Sequence, residues 1–267
     1  MKWDYRSIVR SHSGSSIAGW LHDGMKAHLK MAGHRANRLL FAMPPDDLSY
    51  LEPHLEIVSL RKGQVIYEAG ETLHHAYFPH DTVISLITVM ENGSTAEVAI
   101  CGREGVMGLV PATVTRHSFG NYVVQMTGTA SRISLDQMQV AVGARPGIAQ
   151  LIQNFAEAMQ VRILQSVACN AIHSVESRMC RWILSANHRT DQAVLPLTHE
   201  TLAERLGVQR STVSAIMGRL QVAGLISQVR GGIVITDSSK LEQTACECYR
   251  KLHATFERLL PHTFTRL

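Results

Sequence analysis

The chain has 267 residues, a formal net charge of +4 and 45% hydrophobic residues. This length and composition indicate one or two folded domains and exclude a largely disordered chain. The mild basicity permits an anionic partner without requiring one. No apolar run approaches the roughly 20 residues that span a bilayer, and the first residues lack an apolar signal segment, so we expect a cytoplasmic protein without a membrane partner.

The cysteines are few and widely spaced. Their odd number argues against a disulfide framework. Cys246 and Cys248 are separated by one residue, with no second cysteine pair nearby in the sequence. Such a pair either binds a metal or occupies two ordinary helix positions, and we favour the second interpretation. The sequence therefore predicts no metal site. The five cysteines are Cys101, Cys169, Cys180, Cys246 and Cys248.

The first 145 residues divide into a leader and a β-rich segment. Residues 1–36 are rich in His, Ser, Gly, Lys and Arg and predict a flexible leader. Residues 37–145 contain short stretches of β-branched and aromatic residues, such as QVIYEAG, HAYFPHDTVISLITVM and NYVVQMTGTASRIS, which predict an antiparallel β-roll. The Asn92-Gly93 pair predicts a tight hairpin, because both residues accept a positive φ.

Residues 146–173 predict one long helix, because apolar residues recur every three or four positions. A helix of about 25 residues is roughly 38 Å long and needs a partner for its apolar stripe. The partner is either the β-roll of the same chain or the twin helix of a dimer. We favour the twin helix, because the roll offers too short a surface. The predicted dimer residues are Ile148, Ile152, Phe155, Met159 and Ile163.

Residues 174–267 predict a winged helix–turn–helix domain. Thr198 is a suitable cap for a first short helix, Gly207 allows a tight turn, and a second helix runs from Arg210 to about Ala223. LISQVRGGIVITD then reads as strand, turn and strand. Lys240–Leu260 reads as a final helix that packs on this domain; the alternative is contact with another subunit. For the helix–turn–helix itself, the alternative is a helical hairpin used only for packing. The predicted DNA-contacting residues are Gln209, Arg210, Ser211, Thr212 and Ser214. Arg219 and Arg230 are either phosphate contacts or solvated side chains.

These motifs together resemble the Crp/Fnr family, named for the cyclic-AMP receptor protein and the fumarate–nitrate reduction regulator. LTHETLAERLGVQRSTVSAIMGRLQVAGLI and GGIVITD are similar to the family's winged-helix domain, and GQVIYEAGETLHHAYF and VAICGREGVMGL look like its sensory β-roll. The resemblance implies an α+β fold: an N-terminal β-roll like that of cyclic-nucleotide-binding domains, a long dimerisation helix, and a C-terminal winged helix–turn–helix. It also implies a homodimer that binds an inverted repeat in double-stranded DNA, with RNA polymerase as a candidate partner.

The sequence departs from the family pattern at the effector pocket. The residues that correspond to the pocket are Arg103, Glu104, Gly105, Arg116 and Ser118. The family's Gly-Glu order is broken in GREGVMGL, and His117 separates Arg116 from Ser118. We therefore expect no cyclic-AMP binding of the usual kind, and the effector is unidentified.

Other cofactors of the family are not expected either. The chain has no cysteine before Cys101, which argues against an N-terminal iron–sulfur cluster. His74 and His75 are adjacent on a predicted strand near His80 and point to opposite faces, so they do not form a haem or metal ligand pair.

The predicted DNA-contacting face of the second helix also departs from the family pattern. Ser211 and Ala215 stand where members often carry Glu and Arg, so we expect a different target sequence. Arg210 is the candidate for guanine recognition.

The sequence thus predicts a DNA-binding transcription regulator. No Gly-rich phosphate loop or nucleophile elbow points to an enzyme. The alternative function is a ligand-sensing or protein-docking module that no longer reads DNA.

Overall fold

The computed structural model describes residues 33–109, 115–190 and 192–263. The predicted leader lies almost entirely outside these ranges. A short 3-10 helix, Gly33–Ala36, is followed by α1 (Arg38–Phe41), α2 (Pro45–Leu51) and a second 3-10 helix, Glu52–His54. Asn37 caps α1 and is fully buried. Its amide donates to the carbonyls of Pro79 (2.8 Å) and Gly105 (2.9 Å), which attaches this segment to the β-roll.

Two antiparallel sheets form the β-roll, as predicted. One has the strand order β1-β7-β3 and the other β2-β6-β4-β5. Buried side chains from both sheets, such as Phe78, Ile84 and Ile133, form a common core. The strands are β1 (Glu56–Leu60), β2 (Val65–Tyr67), β3 (His75–Pro79), β4 (Val83–Val89), β5 (Thr95–Cys101), β6 (Asn121–Met126) and β7 (Gly128–Ser134).

The connection between β4 and β5 is longer than the sequence predicts. Val89 pairs with Thr95, so five residues lie between the paired ends. Gly93 takes a positive φ of 80°, whereas Asn92 does not. The side chain of Asn92 instead accepts a hydrogen bond from the Ser94 N–H at 3.0 Å. The prediction of a tight Asn-Gly turn is therefore wrong, because the Asn92 side chain stabilises a wider loop.

After α3 (Leu135–Ala144), the central helix α4 runs over Pro146–Ile172, a length of 27 residues. Pro146 occupies its first turn, where the missing N–H costs no helical hydrogen bond. Within the described ranges, neither α4 nor another helix is long and apolar enough to cross a membrane.

The apolar stripe of α4 packs on the β-roll of its own chain. Ile148, Ile152, Phe155 and Met159 are buried in the common core. Gly105 permits this packing, because a Cβ there would overlap the Phe155 ring. For these four residues the prediction of a dimer seam is wrong. The β-roll covers more of α4 than the sequence analysis expected, because the core of the roll includes helix residues up to Met159.

A second apolar face of α4 remains exposed. Ile163 belongs to this face and is 43% exposed, with Leu164 at 61% and Val167 at 66%. These residues lie on the face of α4 that adjoins the buried stripe. The described part of the chain therefore leaves much of their apolar surface exposed.

The C-terminal part has its own core of buried side chains, including Met179, Ile183, Leu202, Val213 and Met217. Leu195 forms an isolated bridge with Ile233 beside the two-stranded sheet. The elements are α5 (Val175–Thr190), α6 (His199–Leu206), α7 (Arg210–Val222), β8 (Ile226–Val229), β9 (Gly232–Ile235), α8 (Ser238–Thr244) and α9 (Cys248–Leu259).

The predicted final helix is two helices, α8 and α9, separated by residues 245–247. Leu241 of α8 packs in the core of the C-terminal part, as predicted. Phe256 and Leu260 instead join the core formed by the β-roll and α4. The prediction that the whole segment packs on the winged domain is thus only partly right, because the break redirects α9 toward the central helix.

Candidate nucleic-acid interface

The helix–turn–helix has the local structure that its sequence predicts. The Thr198 hydroxyl accepts a hydrogen bond from the Thr201 N–H at 3.1 Å and caps α6. Gly207 ends α6 in the left-handed conformation, with a φ of 65°. A side chain at that position would be strained, which explains the glycine. Three residues, Gly207 to Gln209, separate the two helices.

The first turn of α7 presents polar side chains outward. Gln209, Arg210, Ser211 and Thr212 are all exposed, while the opposite face, which includes Val213, is buried. Arg210 lies 3.4 Å from Glu200, but both side chains are largely exposed. Such a surface ion pair contributes little and is easily exchanged for another anion. The structure thus brings four of the predicted residues together on one surface.

Ser214, also predicted at this interface, is half-buried and belongs to a polar network. Its hydroxyl lies 2.8 Å from His199 Nδ1, and His199 Nε2 lies 2.8 Å from Gln228 Oε1. The Gln228 amide donates to Gln221 Oε1 at 3.1 Å. The network connects α6, α7 and β8, so it fixes the position of the wing beside α7. The sequence analysis missed His199, Gln221 and Gln228, since no spacing rule links residues this far apart.

The wing is a tight hairpin. Val229 pairs with Gly232, which leaves Arg230 and Gly231 as its two-residue turn. Gly231 has a φ of 92°, a value that a glycine adopts without strain. Arg230 is exposed at the tip, where the sequence analysis expected a phosphate contact.

Arg219 has a protein partner. Its guanidinium pairs with Glu176 in the first turn of α5, with Nε at 3.1 Å from the carboxylate. The predicted phosphate contact therefore requires this ion pair to open or to be shared.

Of the predicted effector-pocket residues, Glu104 lies at the centre of a buried ion network. Its Oε1 is 3.0 Å from Arg189 Nε of α5 and 3.4 Å from both terminal nitrogens of Arg162 on α4. Its Oε2 accepts a hydrogen bond from the Gly102 N–H at 3.1 Å. Glu104 therefore connects the β-roll with the central helix and the winged domain. Because Glu104 is buried at 1% exposure within this network, its carboxylate is not accessible to a ribose.

The charges in this network stabilise one another. Burial by itself raises the pKa of Glu104, but the charges of Arg189 and Arg162 outweigh burial, so the pKa of the carboxyl is lowered. Burial lowers the pKa of Arg162 to about 10, which leaves the guanidinium charged at neutral pH. The Glu104 carboxylate and the Arg162 guanidinium thus remain ionised away from water.

The other four predicted pocket residues have separate partners. Arg103 donates to the Ala36 carbonyl at 3.2 Å. The space beside Gly105 is filled by the Phe155 ring. Arg116 pairs with Asp136 on α3 at 2.6 Å. The Ser118 hydroxyl donates to the Gly120 carbonyl. The described residues therefore do not form the single pocket that the resemblance implied.

A second ion pair joins the winged domain to the β-roll, and the sequence analysis missed it. Arg205 on α6 pairs with Glu97 on β5 and donates to Gln125 at 3.0 Å. The Arg205 guanidinium also lies 4.5 Å from the centre of the Trp182 ring. The Ser85 hydroxyl donates to Glu97 at 2.6 Å. These contacts hold α6 against the sheet.

An apolar groove of about 710 Å³ lies between the β-roll and α4. Leu86, Val106 and Tyr122 line it from the roll, and Met159 and Ile163 line it from the helix. Its volume is in the range of small-molecule sites. None of the five predicted effector residues lines this groove.

Residues 177–244 match the family of Crp-like helix-turn-helix domains. The global nitrogen regulator of Synechococcus elongatus is 24% identical over 203 residues, covering 71% of this chain and 89% of that protein. The fumarate and nitrate reduction regulatory protein of Yersinia pestis is 21% identical over 193 residues, covering 70% and 77%. The structure of FixK2 from Bradyrhizobium japonicum has a TM-score of 0.64 at 15% identity, covering 72% of this chain and 98% of that chain. The resemblance to Crp/Fnr regulators is confirmed, and these relatives are transcription regulators rather than enzymes.

We predict that Glu104→Gln lowers the free energy of unfolding at neutral pH by roughly 3–5 kcal/mol, because two buried guanidinium groups lose their counter-charge. The lowered pKa of Glu104 means that its contribution is present above the ordinary glutamate value, about 4.3, and is lost as the pH falls through the folded-state value. The stability gap between wild type and variant should therefore narrow in acid. Urea denaturation from about pH 7 to about pH 3 measures both effects.

Glu56→Gln is the matched control. Glu56 pairs with Arg132 on a neighbouring strand, and its side chain is mostly exposed. Loss of this surface pair should cost no more than about 1 kcal/mol. Equal losses in the two variants, or a Glu104→Gln gap that stays constant with pH, would contradict the buried network.

Proposed function

We propose that this Crp/Fnr-type transcription regulator, with its helix–turn–helix DNA-binding domain, acts as a homodimer on an inverted repeat. The observation that carries the proposal is the exposed group of Gln209, Arg210, Ser211 and Thr212 at the start of α7, with Arg230 on the adjoining wing. A major groove admits such a helix, and an arginine there can contact guanine with two hydrogen bonds. Arg230 is suited to a backbone phosphate.

The exposed face of α4 supports the homodimer. Ile163, Leu164 and Val167 follow the three- and four-residue spacing of a helix–helix seam, and Gln160 and Ala156 extend it toward the N-terminus. A twin α4 related by a two-fold axis would cover this face. The two α7 helices would then contact half-sites about 34 Å apart, one turn of DNA.

Control of DNA binding is proposed to act through the β-roll. The 710 Å³ groove borders the same face of α4, so an apolar effector there would change the surface that the twin helix meets. The Glu104 network and the Arg205–Glu97 pair transmit the change, because both join the roll to the winged domain. An effector that binds one arrangement more tightly shifts the population toward it. RNA polymerase is a candidate partner of the DNA-bound form.

Selection of bound sites from random DNA, with and without cyclic AMP, tests this function. We expect an inverted repeat in both arms, because Glu104 and Arg116 are engaged by other residues. A repeat recovered only with cyclic AMP would contradict the expected loss of the usual cyclic-AMP site. Absence of enrichment in both arms would favour a docking module that no longer reads DNA.

On the selected site, Arg210→Ala should weaken binding by roughly 1–3 kcal/mol, about 5- to 150-fold, and relax the preference at one base pair of each half-site. Titration of fluorescent duplexes at fixed salt, with the site varied at each position, measures this change. Arg61→Ala is the control, because it removes an exposed arginine from the β-roll. An Arg210→Ala protein that binds every site variant like wild type would refute the assignment.

Leu164→Glu should convert the dimer into a monomer, because it places a charge in the centre of the proposed seam. Sedimentation velocity measures the oligomeric state. Val140→Glu is the matched control, since Val140 is 65% exposed on α3 and is not part of the proposed seam. A Leu164→Glu protein that remains dimeric would place the dimer interface elsewhere.

A further inference from the structure

Four potential metal ligands meet where the central helix ends. Cys169 lies in the last turns of α4 and His173 directly follows the helix. Cys246 lies in the connection between α8 and α9, and Cys248 begins α9. One ligand atom from each of the four residues lies within 4.8 Å of the others. The sequence analysis treated Cys246 and Cys248 as ordinary helix positions, but Cys246 lies outside the helices and the fold brings Cys169 to it.

The separations between the ligand atoms match a shared ion. Cys169 Sγ is 3.5 Å from Cys246 Sγ, and Cys248 Sγ is 3.6 Å from His173 Nδ1. Zinc bonds of about 2.3 Å to sulfur and 2.0–2.1 Å to nitrogen place tetrahedral ligands about 3.8 Å (S to S) and about 3.6 Å (S to N) apart. A disulfide would require about 2.05 Å between sulfurs.

Two neighbouring side chains orient the ligands. His173 Nε2 lies 3.0 Å from a carboxylate oxygen of Glu247, which leaves Nδ1 facing the cysteines. The Gln165 amide donates to Cys248 Sγ at 3.0 Å. A carboxylate behind a ligating histidine and a hydrogen bond to a ligating sulfur are the usual outer contacts of zinc sites.

The surroundings favour a structural site. The three cysteines are buried and form a small cluster of their own. Three sulfurs and one imidazole nitrogen complete a four-coordinate set and leave no position for substrate. The soft sulfur ligands select zinc over magnesium or calcium.

We propose that Cys169, His173, Cys246 and Cys248 bind one zinc ion per chain. The ion fastens the end of the central helix to the connection that redirects α9. It closes a loop between residues 77 positions apart in the sequence. The winged domain is thereby attached to α4 at a point separate from the Glu104 network. The proposal does not depend on the proposed DNA target or on the dimer.

Metal analysis of the full-length protein, purified without chelators, is the first test. We expect elemental analysis by inductively coupled plasma mass spectrometry to find one zinc ion per chain. Replacement by Co²⁺ should give the strong near-ultraviolet sulfur-to-cobalt absorption and the visible bands of a tetrahedral site. This measurement uses the wild-type protein, so it does not depend on whether a variant folds.

Variants locate the ion. Cys169→Ser and His173→Ala should lose the zinc, whereas Cys101→Ser, which removes a buried cysteine of the β-roll, should retain it. Glu247→Gln changes only the exposed outer partner of His173, so the protein should fold normally. Its zinc affinity, measured by competition with a chromogenic chelator, should fall about 10- to 100-fold.

Three results would overturn the proposal. One is wild-type protein that carries no metal and takes up none from a zinc buffer. Another is a Cys169–Cys246 disulfide found by peptide mass spectrometry in protein purified under reducing conditions. The third is equal zinc retention in Cys101→Ser and Cys169→Ser proteins that are both folded.

Discussion

The buried carboxylate of Glu104 constrains the rest of the structure. A charge that is removed from water must be paired, and two guanidinium groups from different helices provide the pairing. The Arg162 side chain must therefore point from α4 toward Glu104 in the roll. Arg189 must bring the C-terminal end of α5 against the same carboxylate. The Arg162 guanidinium also lies 4.4 Å from the centre of the Phe256 ring, so α9 packs against the same point. The β-roll, the central helix, the winged domain and the C-terminal helix thus meet around one ion network.

The central helix has a buried apolar stripe in its N-terminal part and an exposed apolar face further along. Ile148, Ile152, Phe155 and Met159 pack into the roll, and the next residue of that stripe is Arg162 rather than another apolar side chain. Beyond that point the apolar residues shift to the neighbouring face, beginning with Ile163. The burial of the helix changes where the stripe turns polar. Its N-terminal part belongs to the core of the chain, and the part beyond Arg162 exposes apolar side chains.

The sequence predicts best where structure is local. Thr198, Gly207 and the spacing of Val213, Ile216 and Met217 determine the helix–turn–helix within about 20 residues, and the structure agrees with them. Periodicity identified an apolar stripe on α4 but not its partner, because the partner depends on packing with distant strands. Ion pairs such as Glu104–Arg189 and the meeting of Cys169 with Cys246 join residues that no spacing rule connects. Resemblance also placed Glu104 in an effector pocket, where the three-dimensional structure pairs it with arginines.

Two ion pairs join the β-roll to the winged domain, and they limit which domains can replace either half in a chimaeric protein. Arg189 and Arg205 both belong to the winged half, whereas Glu104 and Glu97 belong to the roll. A winged domain transplanted onto an unrelated β-roll would carry Arg189 and Arg205 into a contact that supplies no carboxylates. The two guanidinium groups would then be stable only when hydrated. The transplanted winged domain would therefore not pack against the new roll. We therefore expect a functional exchange of halves only where the other roll carries acidic residues at the positions of Glu97 on β5 and Glu104 in the loop after it.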